Sequence, residues 1–197
     1  MSATLWILLA VGLALVFWAV GAYNRLVRLK NAIANAFGQI DVQLKRRYDL
    51  IPNLVEVARK YLAHEAQTLE AVIAARNQAR SAEQGAAASP LNAGALGALA
   101  GAEQVLGGAL GRLFAVAEAY PDLKADQTMR ELSEELSSTE NRIGFARQAY
   151  NDHVLEFNDA AAQFPTLIVA RLFNFSTQSM LESTSSEVER QPVKVAF

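Results

Sequence analysis

The first 24 residues contain no charged side chain, and residues 3–22 are mostly apolar. A helix of about 20 such residues matches the roughly 30 Å hydrocarbon thickness of a bilayer. A cleaved signal peptide is the alternative, but it would have a basic residue before a shorter apolar run. We therefore predict a retained transmembrane helix over residues 1–24. Its membrane-anchoring side chains are predicted to be Leu5, Trp6, Leu9, Val16, Trp18 and Tyr23.

Three basic residues, Arg25, Arg28 and Lys30, follow the apolar run directly. The positive-inside rule then places residues 25–197 in the cytoplasm and the N-terminus outside. The same three side chains are also candidate contacts for anionic lipid, at about 1 kcal/mol each.

Apolar residues recur at steps of three and four from residue 23 to residue 82, as on one face of a helix. Only Gly38 and Pro52 interrupt this pattern, and Pro52 should kink or restart the helix. Strand-type alternation is absent. The fold class is therefore predicted to be all-α, with the transmembrane helix continuing into an elongated up-down bundle of three long helices plus a short C-terminal helix.

The remaining boundaries follow from glycine, proline and the helical period. A glycine- and alanine-rich stretch is typical of a mobile linker, and a weak helix after Pro90 is compatible with the sequence. An unbroken apolar stripe predicts the last long helix, which Pro165 ends. The predicted parts are an anchor at 1–24, a bundle at 25–175 and a flexible tail at 176–197. Within the bundle we predict a helix at 25–82, a linker at 84–102, helices at 103–119 and 126–164, and a short segment at 166–175.

In this arrangement the second and third helices cover only the part of the first helix beyond about Pro52. The apolar face nearer the membrane would then have no partner within the chain. We therefore expect this face to pack against a second copy or another membrane protein. Its residues are Leu26, Leu29, Ile33, Phe37, Ile40 and Leu44.

One charged cluster interrupts the apolar stripe. Arg47 falls where the stripe would otherwise continue, between Leu44 and Ile51. A buried arginine needs an acceptor, and Asp49, Glu140 or a lipid phosphate could provide it. A structural ion pair and a lipid or partner contact both remain open. The complete predicted cluster is Lys45, Arg46, Arg47, Asp49 and Glu140.

No catalytic or metal-binding pattern is evident. His64-Glu65 begins an HExxH motif, but residue 68 is Thr, so the second ligand is missing. There is no glycine-rich phosphate loop and no cysteine, and the net charge of −2 gives no reason to expect nucleic acid. We predict a protein that is not an enzyme, without a cofactor, a metal or an evident small-molecule substrate.

Several long motifs resemble the LemA family. They are QIDVQLKRRYDLIPNLVEVARKY at residues 39–61, AYPDLKA at 119–125 and TENRI-x-x-AR-x-x-YND at 139–152. The resemblance implies a bacterial single-span protein of the cytoplasmic membrane with an elongated helical bundle and no attached enzymatic activity. A magnetosome-associated relative suggests a part in organising membranes.

Two functions follow as hypotheses. The first is a non-catalytic, membrane-anchored scaffold that self-associates or organises other membrane proteins. The second is a membrane-tethered sensor or a module that binds a ligand or peptide, hinged at the glycine-rich linker.

Overall fold

The computed structural model describes residues 3–181, and every regular element in that range is an α-helix. The predicted all-α class is therefore confirmed. The helices are α1 (Ala3–Arg59), α2 (Ala66–Ala88), α3 (Ala93–Ala117), α4 (Pro121–Ala125), α5 (Gln127–Ala162) and α6 (Thr166–Leu172).

Helix α1 runs without a break from the apolar segment through Pro52 into the bundle. Proline has no amide to donate to the carbonyl four residues earlier, which here belongs to Tyr48. That carbonyl instead accepts a hydrogen bond of 2.9 Å from Nε of Arg76 on α2. A side chain from the neighbouring helix thus replaces the missing backbone bond. At about 1.5 Å per residue, the helix measures roughly 86 Å.

Replacing Arg76 with methionine should therefore lower the free energy of unfolding by about 1–3 kcal/mol, because the buried Tyr48 carbonyl loses its donor. The loss should shrink in a Pro52→Ala background, where the alanine amide can bind the same carbonyl. Urea unfolding in detergent, followed by far-ultraviolet circular dichroism, measures both losses. An equal loss in the two backgrounds would contradict this role of Arg76.

The predicted single long helix over 25–82 was wrong, because α1 ends at Arg59 and the chain reverses over residues 60–65. Leu62 is buried in this turn. The Tyr61 hydroxyl donates a 3.0 Å hydrogen bond to Asp126, just before α5. Tertiary packing therefore ends the helix where the sequence has neither glycine nor proline.

The predicted mobile linker over 84–102 was also wrong. Helix α2 continues to Ala88, and α3 already begins at Ala93. The Asn92 side chain caps α3 by accepting a 3.0 Å hydrogen bond from the Ala95 amide. Four apolar residues of this stretch are buried against the neighbouring helices, which explains why a glycine-rich segment stays helical: Ala86, Leu96, Leu99 and Ala102.

Helix α5 runs antiparallel to α1 and covers it as far as the membrane-proximal end. The rings of Phe37 and Tyr150 meet edge to face, with centroids 6.3 Å apart. The expectation that the membrane-proximal stripe has no partner in the chain was therefore wrong. Leu29 is half-buried, and the other five stripe residues are buried: Leu26, Ile33, Phe37, Ile40 and Leu44.

After α6 the chain turns back along α5 in an extended segment. The Asn158 side chain accepts from the Gln178 amide at 2.8 Å and donates to the Gln178 carbonyl at 3.0 Å. Asn151 binds the backbone of Leu181 in the same two-bond manner, at 2.8 Å each. The start of the predicted flexible tail is therefore packed against α5. The rest of that tail, residues 182–197, lies outside the described residues.

Candidate functional site

An ion cluster with a buried centre lies where α1, α3 and α5 come together. Nη1 of Arg47 is 2.8 Å from Oε2 of Glu103 on α3 and 2.9 Å from Oε2 of Glu140 on α5. Nη2 of Arg147 is 3.7 Å from the same Glu103 oxygen. The Tyr48 hydroxyl donates a 2.7 Å hydrogen bond to the other oxygen, Oε1. We call these five residues the ion cluster.

Two arginines and two carboxylates balance the charge of this cluster. Arg47 and Glu103 are only 7% and 6% exposed, so each has lost most of its hydration. Burial, and the neighbouring Glu103 carboxylate, raise the pKa of Tyr48, which keeps its hydroxyl protonated as a donor. Because desolvation of buried ions is costly, such a cluster is favourable only when every partner is present.

A cavity of about 770 Å³ adjoins the ion cluster. One end is charged, and the walls come from apolar residues of α1 and small residues of α3. At Gly97 and Gly101, an added Cβ would meet no neighbouring atom within 4 Å. Residues 179–181 of the returning segment also line the cavity. The lining can accommodate a molecule with both polar and apolar parts.

A second polar group joins α1 to α2. Nζ of Lys45 is 2.6 Å from Asp41 and 3.7 Å from the buried Glu83. Burial, together with a hydrogen bond to Asp41, raises the pKa of Glu83 to about 7. Burial alone would raise the pKa of Asp41, but the hydrogen bonds from Glu83 and Lys45 outweigh it and lower that pKa. Below about pH 7, the proton of this carboxyl pair therefore resides on Glu83, and Asp41 is ionised.

The Glu83 proton makes stability depend on pH. A raised pKa in the folded state contributes stability below the ordinary value of 4.5, and this contribution is lost as the pH rises to about 7. The lowered pKa of Asp41 acts in the opposite direction, below its ordinary value of 3.8. We expect the free energy of unfolding of the wild type to fall relative to Glu83→Gln across about pH 4.5–7. Urea unfolding at several pH values measures this difference, and the exposed Glu134→Gln serves as the control. If the free energy of unfolding of wild type and Glu83→Gln changed equally with pH, the raised pKa of Glu83 would be contradicted.

The predicted charged cluster does not form one site. Successive helical residues point about 100° apart, so its members separate. Lys45 pairs with Asp41, Arg46 pairs with Glu135 on α5, and Arg47 enters the core. Asp49 is largely exposed and lies 4.0 Å from Arg76. Of the suggested acceptors for Arg47, the structure brings Glu140 into contact and leaves Asp49 apart.

The predicted anchor residues and basic residues lie on the exposed first half of α1. An 18-residue window in this helix has a mean hydropathy of 2.4, and no residue of the window is buried. By length and composition this segment can cross a membrane. Arg25, Arg28 and Lys30 are all exposed at its end.

Sequence reasoning missed six residues that the structure places in these polar contacts: Asp41, Tyr48, Arg76, Glu83, Glu103 and Arg147. For Glu103 a signal existed, because it is the only charged residue between 84 and 111. A lone carboxylate in an apolar helix needs a buried partner. Within residues 3–181, no group of three or more His, Cys, Asp or Glu side chains could hold a metal ion.

Fold and site together define a class: a helical-bundle protein with an apolar N-terminal extension and an ionic core. The chain belongs to the LemA family, whose model matches residues 36–197. It is 29% identical over 177 residues to protein LemA of Metamycoplasma hominis, covering 90% of this chain and 75% of that protein.

Magnetosome proteins are also similar. The chain is 27% identical over 168 residues to magnetosome protein MamQ of Magnetospirillum gryphiswaldense, covering 78% of this chain. The same figures apply to magnetosome protein MamQ 2 of Paramagnetospirillum magneticum. The chain spans only 62% of the length of these magnetosome relatives.

Proposed function

We propose that the chain is a non-catalytic, membrane-anchored scaffold that holds a helical bundle at a fixed position on the bacterial cytoplasmic membrane, with the bundle on the cytoplasmic side. The observation that carries this proposal is the continuity of α1 from the apolar segment to Arg59. A helix without a hinge couples the orientation of the bundle to that of the membrane span. The basic residues Arg25, Arg28 and Lys30 support the cytoplasmic orientation.

The internal packing of the bundle supports a structural role. The stripe that was expected to bind a second copy is buried inside the chain, so any assembly must use other surfaces. Large exposed side chains on the bundle, Val42, Val105, Phe145 and Leu155, are available for such contacts. By analogy with the relatives named magnetosome proteins, the role includes the organisation of an assembly at the membrane.

The mass of the intact particle tests the scaffold. The full chain is expressed at low level, extracted with its surrounding lipid into nanodiscs and weighed by native mass spectrometry. A scaffold predicts a defined particle that contains several copies or another membrane protein in fixed ratio. A variant with three glycines inserted after Asn24 is the matched control, because it retains span and bundle but loses their rigid connection. A particle with one copy and no second protein would contradict the proposal.

A module that binds a small ligand is the second candidate, and the cavity of about 770 Å³ beside the ion cluster favours it. The proposed hinge at residues 84–102 is reduced to the four-residue turn at 89–92, because α2 continues to Ala88 and α3 begins at Ala93. Gly101→Trp should fill the cavity, whereas Gly111→Trp, on the exposed side of α3, should not. If a ligand occupies the cavity, the wild-type particle should carry an added mass in native mass spectrometry. The Gly101→Trp particle should lack this added mass, and the Gly111→Trp particle should retain it. A particle without any added mass would contradict this candidate.

A further inference from the structure

Helix α6 lies at the end of the bundle from which the apolar segment emerges. The ring of Tyr23, directly after that segment, is 4.9 Å from the ring of Phe173 and 5.6 Å from that of Phe175, measured between centroids. Both contacts are edge to face. They fix the end of α6 at the level of α1 where a bilayer around residues 3–22 would reach its surface.

Apart from Arg171, the surface of α6 that faces away from the bundle is apolar. Ile168 and Leu172, four residues apart on one face, are 57% and 76% exposed, and Phe164 just before the helix is 81% exposed. On the opposite face, Val169 and Ala170 are buried. One face of such a helix packs against the bundle, and its second apolar face is expected to contact another apolar environment. Three large side chains left in water would lose roughly 25 cal/mol of stabilisation per Å² of apolar surface.

We propose that α6 is seated in the headgroup region of the bilayer, with Phe164, Ile168 and Leu172 in contact with lipid. The proposal rests on the proposed anchoring of residues 3–22. The protein would then touch the membrane at two places, through the span and through α6. An interfacial contact of this kind holds its apolar side chains at the boundary of headgroups and acyl chains.

Continuity and charge identify lipid as the occupant of this surface. The exposed apolar surface of α1 reaches Val20, and Tyr23 joins it to the aromatic rings beside α6. A bilayer that surrounds the span therefore comes close to α6. Exposed basic residues stand at the same end of the bundle: Arg25, Arg28, Lys30 and Arg171. They complement anionic headgroups.

Depth-dependent fluorescence quenching tests the proposal on the full chain. The native sequence has no cysteine, so single cysteines can be placed at Leu13, Phe145, Ile168 and Leu172 and labelled with an environment-sensitive dye. Each variant is reconstituted in vesicles of phosphatidylcholine and phosphatidylglycerol that carry a nitroxide at a shallow or a deep acyl position. Leu13 reports on the span, and Phe145, exposed on α5 far from α6, is the matched control in water.

We expect the labels at Ile168 and Leu172 to be quenched several-fold more than the label at Phe145, and most strongly by the shallow nitroxide. The label at Leu13 should be quenched most by the deep nitroxide. If the label at Leu13 were quenched by the deep nitroxide, but the labels at Ile168 and Leu172 were quenched no more than the label at Phe145, the lipid contact of α6 would be overturned. The proposed membrane anchor would stand. No quenching at Leu13 would overturn both. Labels at Ile168 and Leu172 that are shielded from water but not quenched would indicate a protein partner and would overturn the lipid contact.

Discussion

Replacing Arg47 with methionine is expected to lower the free energy of unfolding by about 3–5 kcal/mol, the range for breaking a buried ion pair by removing one partner. Glu103 would stay in the core with its closest cation gone, since Arg147 is 3.7 Å away. Methionine retains most of the volume of the arginine stem, so the loss reports on charge rather than on a cavity. Urea unfolding of the full chain in detergent, followed by far-ultraviolet circular dichroism, measures it.

The neighbouring Arg46 provides the control. Its pair with Glu135 is partly exposed, so Arg46→Met should cost only about 0–1 kcal/mol. Adding Glu103→Gln to Arg47→Met removes the unpaired charge and should restore part of the loss. The assignment would be wrong if the two arginine variants were equally stable, or if the second substitution made the loss larger.

Replacing Phe37 with alanine is expected to cost about 3–5 kcal/mol, because a large buried ring leaves a cavity and loses its contact with Tyr150. The contact lies within one chain, so the loss should not depend on protein concentration in detergent. The same urea unfolding measures it at two concentrations of the solubilised chain.

Val42 is the matched control on the same helix, since its side chain is exposed. Val42→Ala should change the free energy of unfolding by no more than about 0.5 kcal/mol. A Phe37→Ala loss that grew on dilution would mean that the stripe packs between copies. That result would contradict the intramolecular packing of α1 with α5.

The helical class could be predicted from the sequence because its strongest signal, the spacing of apolar residues, is local. The end of α1 could not. Residues 60–65 contain no glycine or proline, and the turn forms because Leu62 and Tyr61 gain contacts with distant elements. The opposite error occurred at residues 84–102, where a linker was predicted but most residues are helical. Buried alanine and leucine side chains keep this glycine-rich segment helical. Local propensity is a weak guide where tertiary packing decides.

Only part of the ion cluster could be predicted from the sequence, again because some of its contacts depend on tertiary packing. Arg47 was singled out because a charge in an apolar stripe requires a partner, and Glu140 was among the candidates. Its other partner, Glu103, was predicted as the first residue of a helix at 103–119, but α3 begins ten residues earlier at Ala93. The position of Glu103 relative to α1 could therefore not be deduced. Arg76 at Pro52 is a similar case, because its role depends on how α2 folds back.

The two asparagines that hold residues 178–181 have a consequence for sequence variation. Asn151 and Asn158 are two helical turns apart, about 10.5 Å, which matches three residues of extended chain at about 3.4 Å each. The side-chain amides of both asparagines form these hydrogen bonds only with main-chain atoms. Substitutions at the exposed Ser179 and Met180 can therefore accumulate without detaching the segment, whereas Leu181 is also held by its buried side chain. Conversion of either asparagine to aspartate, as in spontaneous deamidation, would set a carboxylate against a carbonyl and release it.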